Sequence, residues 1–83
     1  MRIVAALLLL FSLISIPAFA IDQFQNEQAA QQHCPNDTVV WLNIPTGVFH
    51  FKGERWYGRT KNGAFVCQKE AEKEGDRATR NGQ

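Results

Sequence analysis

VVWLNIPTGVFHFKGERWYGRTKNGAFVC, running from Val39 to Cys67, is the stretch on which the fold turns. It holds both tryptophans, the sole tyrosine, His50 and most of the glycines. Val39 to Asn43 is β-branched and aromatic, the composition of a strand. Alternation puts Val40 and Leu42 on one face, Val39 and Trp41 on the other. Ile44-Pro45-Thr46-Gly47 reads as a hairpin loop, with Gly47 free to take a positive φ. Val48 to Lys52 returns, with Phe49 and Phe51 on one face and Val48 and His50 on the opposite one. Gly53-Glu54 turns the chain, Arg55 to Thr60 continues as an irregular extended segment, and Asn62-Gly63 marks a second tight turn. Ala64 to Cys67 is the last strand. The pattern predicts an α+β domain: a three-stranded antiparallel β-meander followed by one short C-terminal helix. With large apolar groups on both faces, the sheet needs a cover on each.

C-terminal to this block, Gln68 to Asp76 carries helix-forming residues and opposite charges at helical spacing, such as Glu70 with Lys73. Gly75 is its expected stop. The domain is placed at 34–78, and 79–83 is a polar tail expected to be mobile. N-terminal to the block, Cys34 to Thr38 is a turn in which Asn36 and Asp37 bond back to nearby amides. Residues 21–33 are glutamine-rich and lack an apolar stripe, so they read as a flexible polar lead-in.

Residues 1–20 have the layout of a signal peptide: Arg2, an apolar run from Ile3 to Ile16, and the small-x-small triplet Ala18-Phe19-Ala20. The expectation is an exported chain, periplasmic or secreted, with no stable membrane anchor after cleavage at Ile21. An uncleaved anchor is the competing reading, because the apolar run approaches spanning length. Among the nine Lys and Arg only Arg2 lies in this segment, which leaves eight cations against eight acids. That balance weighs against a general nucleic-acid binder and against attraction to a membrane surface. So short a chain needs a staple, and an exported chain with two cysteines has one intramolecular pairing, Cys34 with Cys67. Closing that loop contributes about 3–4 kcal/mol in the chain-entropy model.

No nucleophile–base pair, zinc-protease motif or phosphate-binding glycine loop is present. The carboxylates gather on the C-terminal helix, where a solvated face accounts for them, so no enzyme and no cofactor is expected. The constellation that stands out is His50 to Lys61. Lys52, Arg55, Arg59 and Lys61 interleave with Phe51, Trp56 and Tyr57, opposed by Glu54. Such a surface can stack on rings and hold anions. Equally, Trp56 and Tyr57 can cap a thin core while the basic stems cover their edges. Candidate binding residues are His50, Arg55, Trp56, Tyr57, Arg59 and Lys61. The partner, otherwise unknown, is expected to be an extracytoplasmic protein or polymer. The alternatives are a metal-binding module using His50 with Cys34 and Cys67, His33 being the only other imidazole, and a weak nucleic-acid binder.

Trp41-x-Asn43, Gly47-x-Phe49-His50, Gly53-x-Arg55-Trp56-Tyr57-Gly58-x-Thr60-Lys61-x-Gly63, then Ala71, Gly75 and Arg77, resembles a family of small exported bacterial proteins of uncharacterised function. Their fold is similar to the metal-binding domain of the Ada DNA-repair protein, a short β-meander followed by a helix. The resemblance covers Val39 to Arg77. It implies that fold and a motif at His50, Arg55, Tyr57, Gly58 and Thr60 acting as a structural turn-and-clasp. Ada's domain holds zinc through four cysteines, whereas this chain has two, which makes a disulfide their natural use. Related modules appended to secreted nucleases keep a nucleic-acid role open by analogy.

Overall fold

Val39–Asn43 (β1) and Val48–His50 (β2) pair antiparallel as the alternation predicts, with Trp41 opposite His50 and Leu42 opposite Phe49. The computed structural model describes residues 21–83; the expected signal peptide, 1–20, lies outside them. Gly47 closes the hairpin loop with φ +69°, and its amide donates to the Asn43 carbonyl at 3.0 Å.

The next strand, Gly63–Cys67 (β3), departs from the expected meander. It pairs with β1 and not with β2, placing Val39 opposite Cys67 and Trp41 opposite Phe65. A further strand, Arg77–Ala78 (β4), adds to the far side of β2 in parallel, through Arg77 N–H to the Gly47 carbonyl at 2.9 Å and Thr79 N–H to the Phe49 carbonyl at 3.0 Å. The domain is therefore α+β with a four-stranded mixed sheet in the order β3-β1-β2-β4. The physical cause is burial. All of β1 except Asn43 is buried, so it gains most by holding the centre with a partner on each edge.

One face of the sheet carries the core, Val40, Leu42, Phe49, Ala64 and Val66, with Ala71 set onto it from the helix Gln68–Lys73. This C-terminal helix follows β3 directly. Cys67 at its N-cap makes no side-chain cap bond, and Asp37 from the preceding turn supplies one, its Oδ2 accepting from Lys69 N–H at 2.9 Å.

The lead-in is not a loose segment. Glu27–His33 forms a helix (α1, the C-terminal helix being α2), opened by the Asn26 side chain accepting from Ala29 N–H at 2.7 Å. Ala30 is fully buried, so one small residue does what an apolar stripe does elsewhere. Its C-terminal end is tied by Gln31 Nε2, which donates to the Cys34 and Asp37 carbonyls at 3.0 and 2.9 Å, and by the Cys34–Cys67 disulfide. Phe24 exchanges two backbone hydrogen bonds with Phe65 at the β3 edge. The tail is also tied, Trp56 N–H donating to the Gln83 carbonyl at 2.9 Å.

Candidate functional site

Because β3 lies beyond β1, the chain between Phe51 and Asn62 must cross the second face of the sheet. It does so as successive turns, Tyr57 N–H reaching the Glu54 carbonyl and Arg59 N–H the Trp56 carbonyl, and not as the extended segment expected. Two side-chain contacts hold the crossing down. Trp41 Nε1 donates to Thr60 Oγ1 at 2.8 Å. The Tyr57 ring packs edge-on against Phe65, with centroids 5.5 Å apart, while Trp41 meets the same ring at 4.9 Å. Gly63 makes room for the indole: a Cβ there would fall 2.3 Å from Trp41 Cζ2.

Between this crossing segment and the β2–β4 side of the sheet lies an open cleft of about 600 Å³. His50, Asn43, Thr46 and Val48 line it from the hairpin, Trp56, Arg59, Thr60 and Lys61 from the crossing segment, and Arg77 from β4. Three permanent cations therefore line it, and no carboxylate does. Arg59, Lys61 and Arg77 make no salt bridge among the described residues. Arg77 spends one N–H on the neighbouring Ala78 carbonyl at 3.1 Å. Trp56 offers a half-exposed ring, with the Arg55 guanidinium 5.0 Å from its centroid. His50 is 7% exposed, and its Nδ1 is buried with no hydrogen-bond partner among the described residues. Buried polar atoms are normally paired, and this nitrogen is the exception among the buried side-chain nitrogens and oxygens of the described residues.

Of the expected binding residues, His50, Trp56, Arg59 and Lys61 converge on the cleft. Arg55 acts behind it by covering Trp56. Tyr57 points elsewhere: its hydroxyl donates to Glu27 Oε1 at 2.5 Å, and Lys52 Nζ reaches Glu27 Oε2 at 2.9 Å. The tyrosine hydrogen bond and then the lysine hold the Glu27 carboxyl below its ordinary value. Burial, then the same carboxylate, push the Tyr57 hydroxyl well up. Arg77, which the sequence offers only at the start of the polar tail and as the last position of the resemblance, joins the cleft through β4. A two-residue strand offers no alternation to detect.

The metal set of His50 with Cys34 and Cys67 is not assembled. Cys67 lies opposite Val39 and His50 opposite Trp41, on strands separated by β1, and the two sulfurs are bonded to each other at 2.05 Å. The imidazole that does reach a cysteine sulfur is His33, which lies with Cys67 and Glu70 in a group whose donor atoms are within 4.8 Å of one another. No helix of the described residues is long and apolar enough to cross a membrane. Comparison with models of protein families, with curated proteins and with solved structures gives no match.

Proposed function

We propose that this chain is a small exported, non-enzymatic binding module, stapled by Cys34–Cys67, that captures an anionic group of an extracytoplasmic polymer or protein in the His50 cleft. The observation that carries the reading is the lining itself: Arg59, Lys61 and Arg77 beside His50, with no carboxylate among the lining residues. Cations gathered on one concave wall raise the local concentration of anions. Arg59 and Arg77 can each take an oxyanion through a guanidinium fork. Trp56, half exposed at the rim, adds a platform for a ring or an aliphatic stem. The kinship with exported proteins resembling the Ada metal-binding domain belongs to the same proposal, as an account of the fold and not of the ligand.

The test is a titration of the ¹⁵N-labelled chain with polyphosphate and, separately, with a sulfated polysaccharide. Shifts centred on the Trp56 indole and the Arg59, Lys61 and Arg77 amides are expected. They should weaken steeply with salt, as contacts between exposed charges do, and Arg59→Glu or Arg77→Glu should abolish them. Shifts that spread over the surface and survive both reversals would sink the proposal. Weak nucleic-acid binding is the rival reading, since the same cleft cations can hold a phosphodiester. A single-stranded oligonucleotide that binds more tightly than either polymer would establish that rival.

A further inference from the structure

The staple lies at the Val39 end of β1, away from the cleft, and is surrounded by groups that a structural disulfide does not need. His33 ends α1, Cys67 ends β3 and Glu70 stands in the first turn of α2. His33 Nε2 is 2.9 Å from Glu70 Oε2 and 3.4 Å from Asp22 Oδ2. The imidazole is set by Phe24, whose ring centroid is 5.2 Å away. A ring nitrogen of His33, the sulfur of Cys67 and a carboxylate oxygen of Glu70 all lie within 4.8 Å of one another, and the sulfur of Cys34 is bonded to that of Cys67. One sulfur, one nitrogen and one oxygen thus converge from three elements, and the second sulfur adjoins them through its bond to Cys67.

We propose that the reduced chain binds one zinc ion at this point through Cys34, Cys67, His33 and Glu70, so that the staple exists in two interchangeable forms, disulfide and metal. A mixed thiolate, imidazole and carboxylate set in four-coordinate geometry is zinc chemistry. In the oxidised chain neither sulfur is a thiolate, and the set is two ligands short. A dithiol reductant transfers two hydrogens to the bond, giving two protein thiols and the oxidised dithiol. Zn²⁺ then displaces both thiol protons to solvent. His33 takes the tautomer with its proton on Nδ1, which frees the Nε2 lone pair, and Glu70 exchanges its hydrogen bond with that nitrogen for the metal. To reach bond lengths of about 2.0–2.3 Å, the donors of His33, Cys67 and Glu70 draw together, while the two sulfurs, released from their bond, move apart and Cys34 turns its thiolate toward the ion. Both forms close the same loop, so the fold keeps its cross-link in either redox state. The site is separate from the cleft and does not depend on what the cleft binds.

The test compares the full chain with its disulfide intact and after reduction by a phosphine, which does not compete for the metal. Zinc affinity is read against a chromophoric chelator, and Co²⁺ is added as a spectroscopic probe. One equivalent of zinc should bind the reduced chain and none the oxidised one at the same concentration, with a thiolate-to-cobalt charge-transfer band in the reduced form only. His33→Ala and Glu70→Gln should each weaken binding by about tenfold or more, since even outer partners of a metal site are worth about that much. Both variants keep the disulfide, so their oxidised forms show whether they fold. Reduced variants that bind as tightly as the reduced parent would reduce the site to a bare dithiol and overturn the proposal. So would a reduced parent that takes up no more zinc than the Cys34→Ser/Cys67→Ser double variant.

Discussion

At Gly63 the backbone makes way for a side chain. The indole of Trp41 lies where a Cβ would be, and through Nε1 that same indole anchors Thr60 and with it one wall of the cleft. Gly63→Ala should therefore cost about 1–3 kcal/mol or more by overpacking. It should also displace the Trp41 indole N–H resonance, which reports the lost bond to Thr60. An unchanged resonance and midpoint would show that the ring can move aside freely. Tyr57 with Glu27 makes a second residue-scale case, because the pair ties the crossing segment to α1. Glu27 titrates lower in the fold than in the unfolded chain, so its contribution is present above its ordinary value of 4.5 and is lost as pH falls through the lowered one. Tyr57 titrates higher, so its contribution is intact below 10.0 and is lost as pH rises beyond that. Tyr57→Phe should then cost about 1 kcal/mol, a figure discounted for the pair's exposure. Urea midpoints should differ most from about pH 5 to about pH 9 and converge as pH falls through the lowered Glu27 value.

At the scale of the element, α1 has seven residues, too few to persist alone in water. Its existence rests on the Asn26 cap, the buried Ala30 and the cross-link just past its end. Asn26→Ala should lower stability by about 1 kcal/mol, a fall of about 4–8 °C in Tm for a domain this small. The amides of Glu27 to Ala30 should lose hydrogen-exchange protection first. Uniform loss across the sheet would instead mean that α1 and the sheet unfold as one unit. This element also marks where sequence reading stops short. The search for an apolar stripe finds none, because the helix is held by a single small residue and a covalent bond, neither of which makes a periodic signal. The hairpin of β1 and β2 was legible, since alternating apolar residues meet a Pro-Thr-Gly loop within ten residues.

Across the whole molecule, the cross-link joins α1 to the edge strand β3 and encloses the sheet's central strand, with a sequence separation of 33. Its removal by Cys67→Ser should lower stability by about 3–4 kcal/mol. With so small a core that loss should bring the unfolding midpoint down by tens of degrees, as circular dichroism under oxidising conditions would record. An unchanged midpoint would mean that packing alone sustains the fold. The sequence by itself determined the α+β class, the first hairpin, the faces on which Val40, Phe49, Trp41 and His50 fall, and the partner of each cysteine. It also singled out four of the cleft residues, because basic and aromatic types crowd together between His50 and Lys61. Only the tertiary structure decided that β3 crosses to the far side of β1, that β4 joins β2, and that Arg77 thereby reaches the cleft while Tyr57 turns away to Glu27. Those outcomes rest on pairings between residues far apart in the chain, where the competition is over which edge of a largely buried strand each partner covers. Local alternation encodes which face a side chain takes, and it carries no record of that competition.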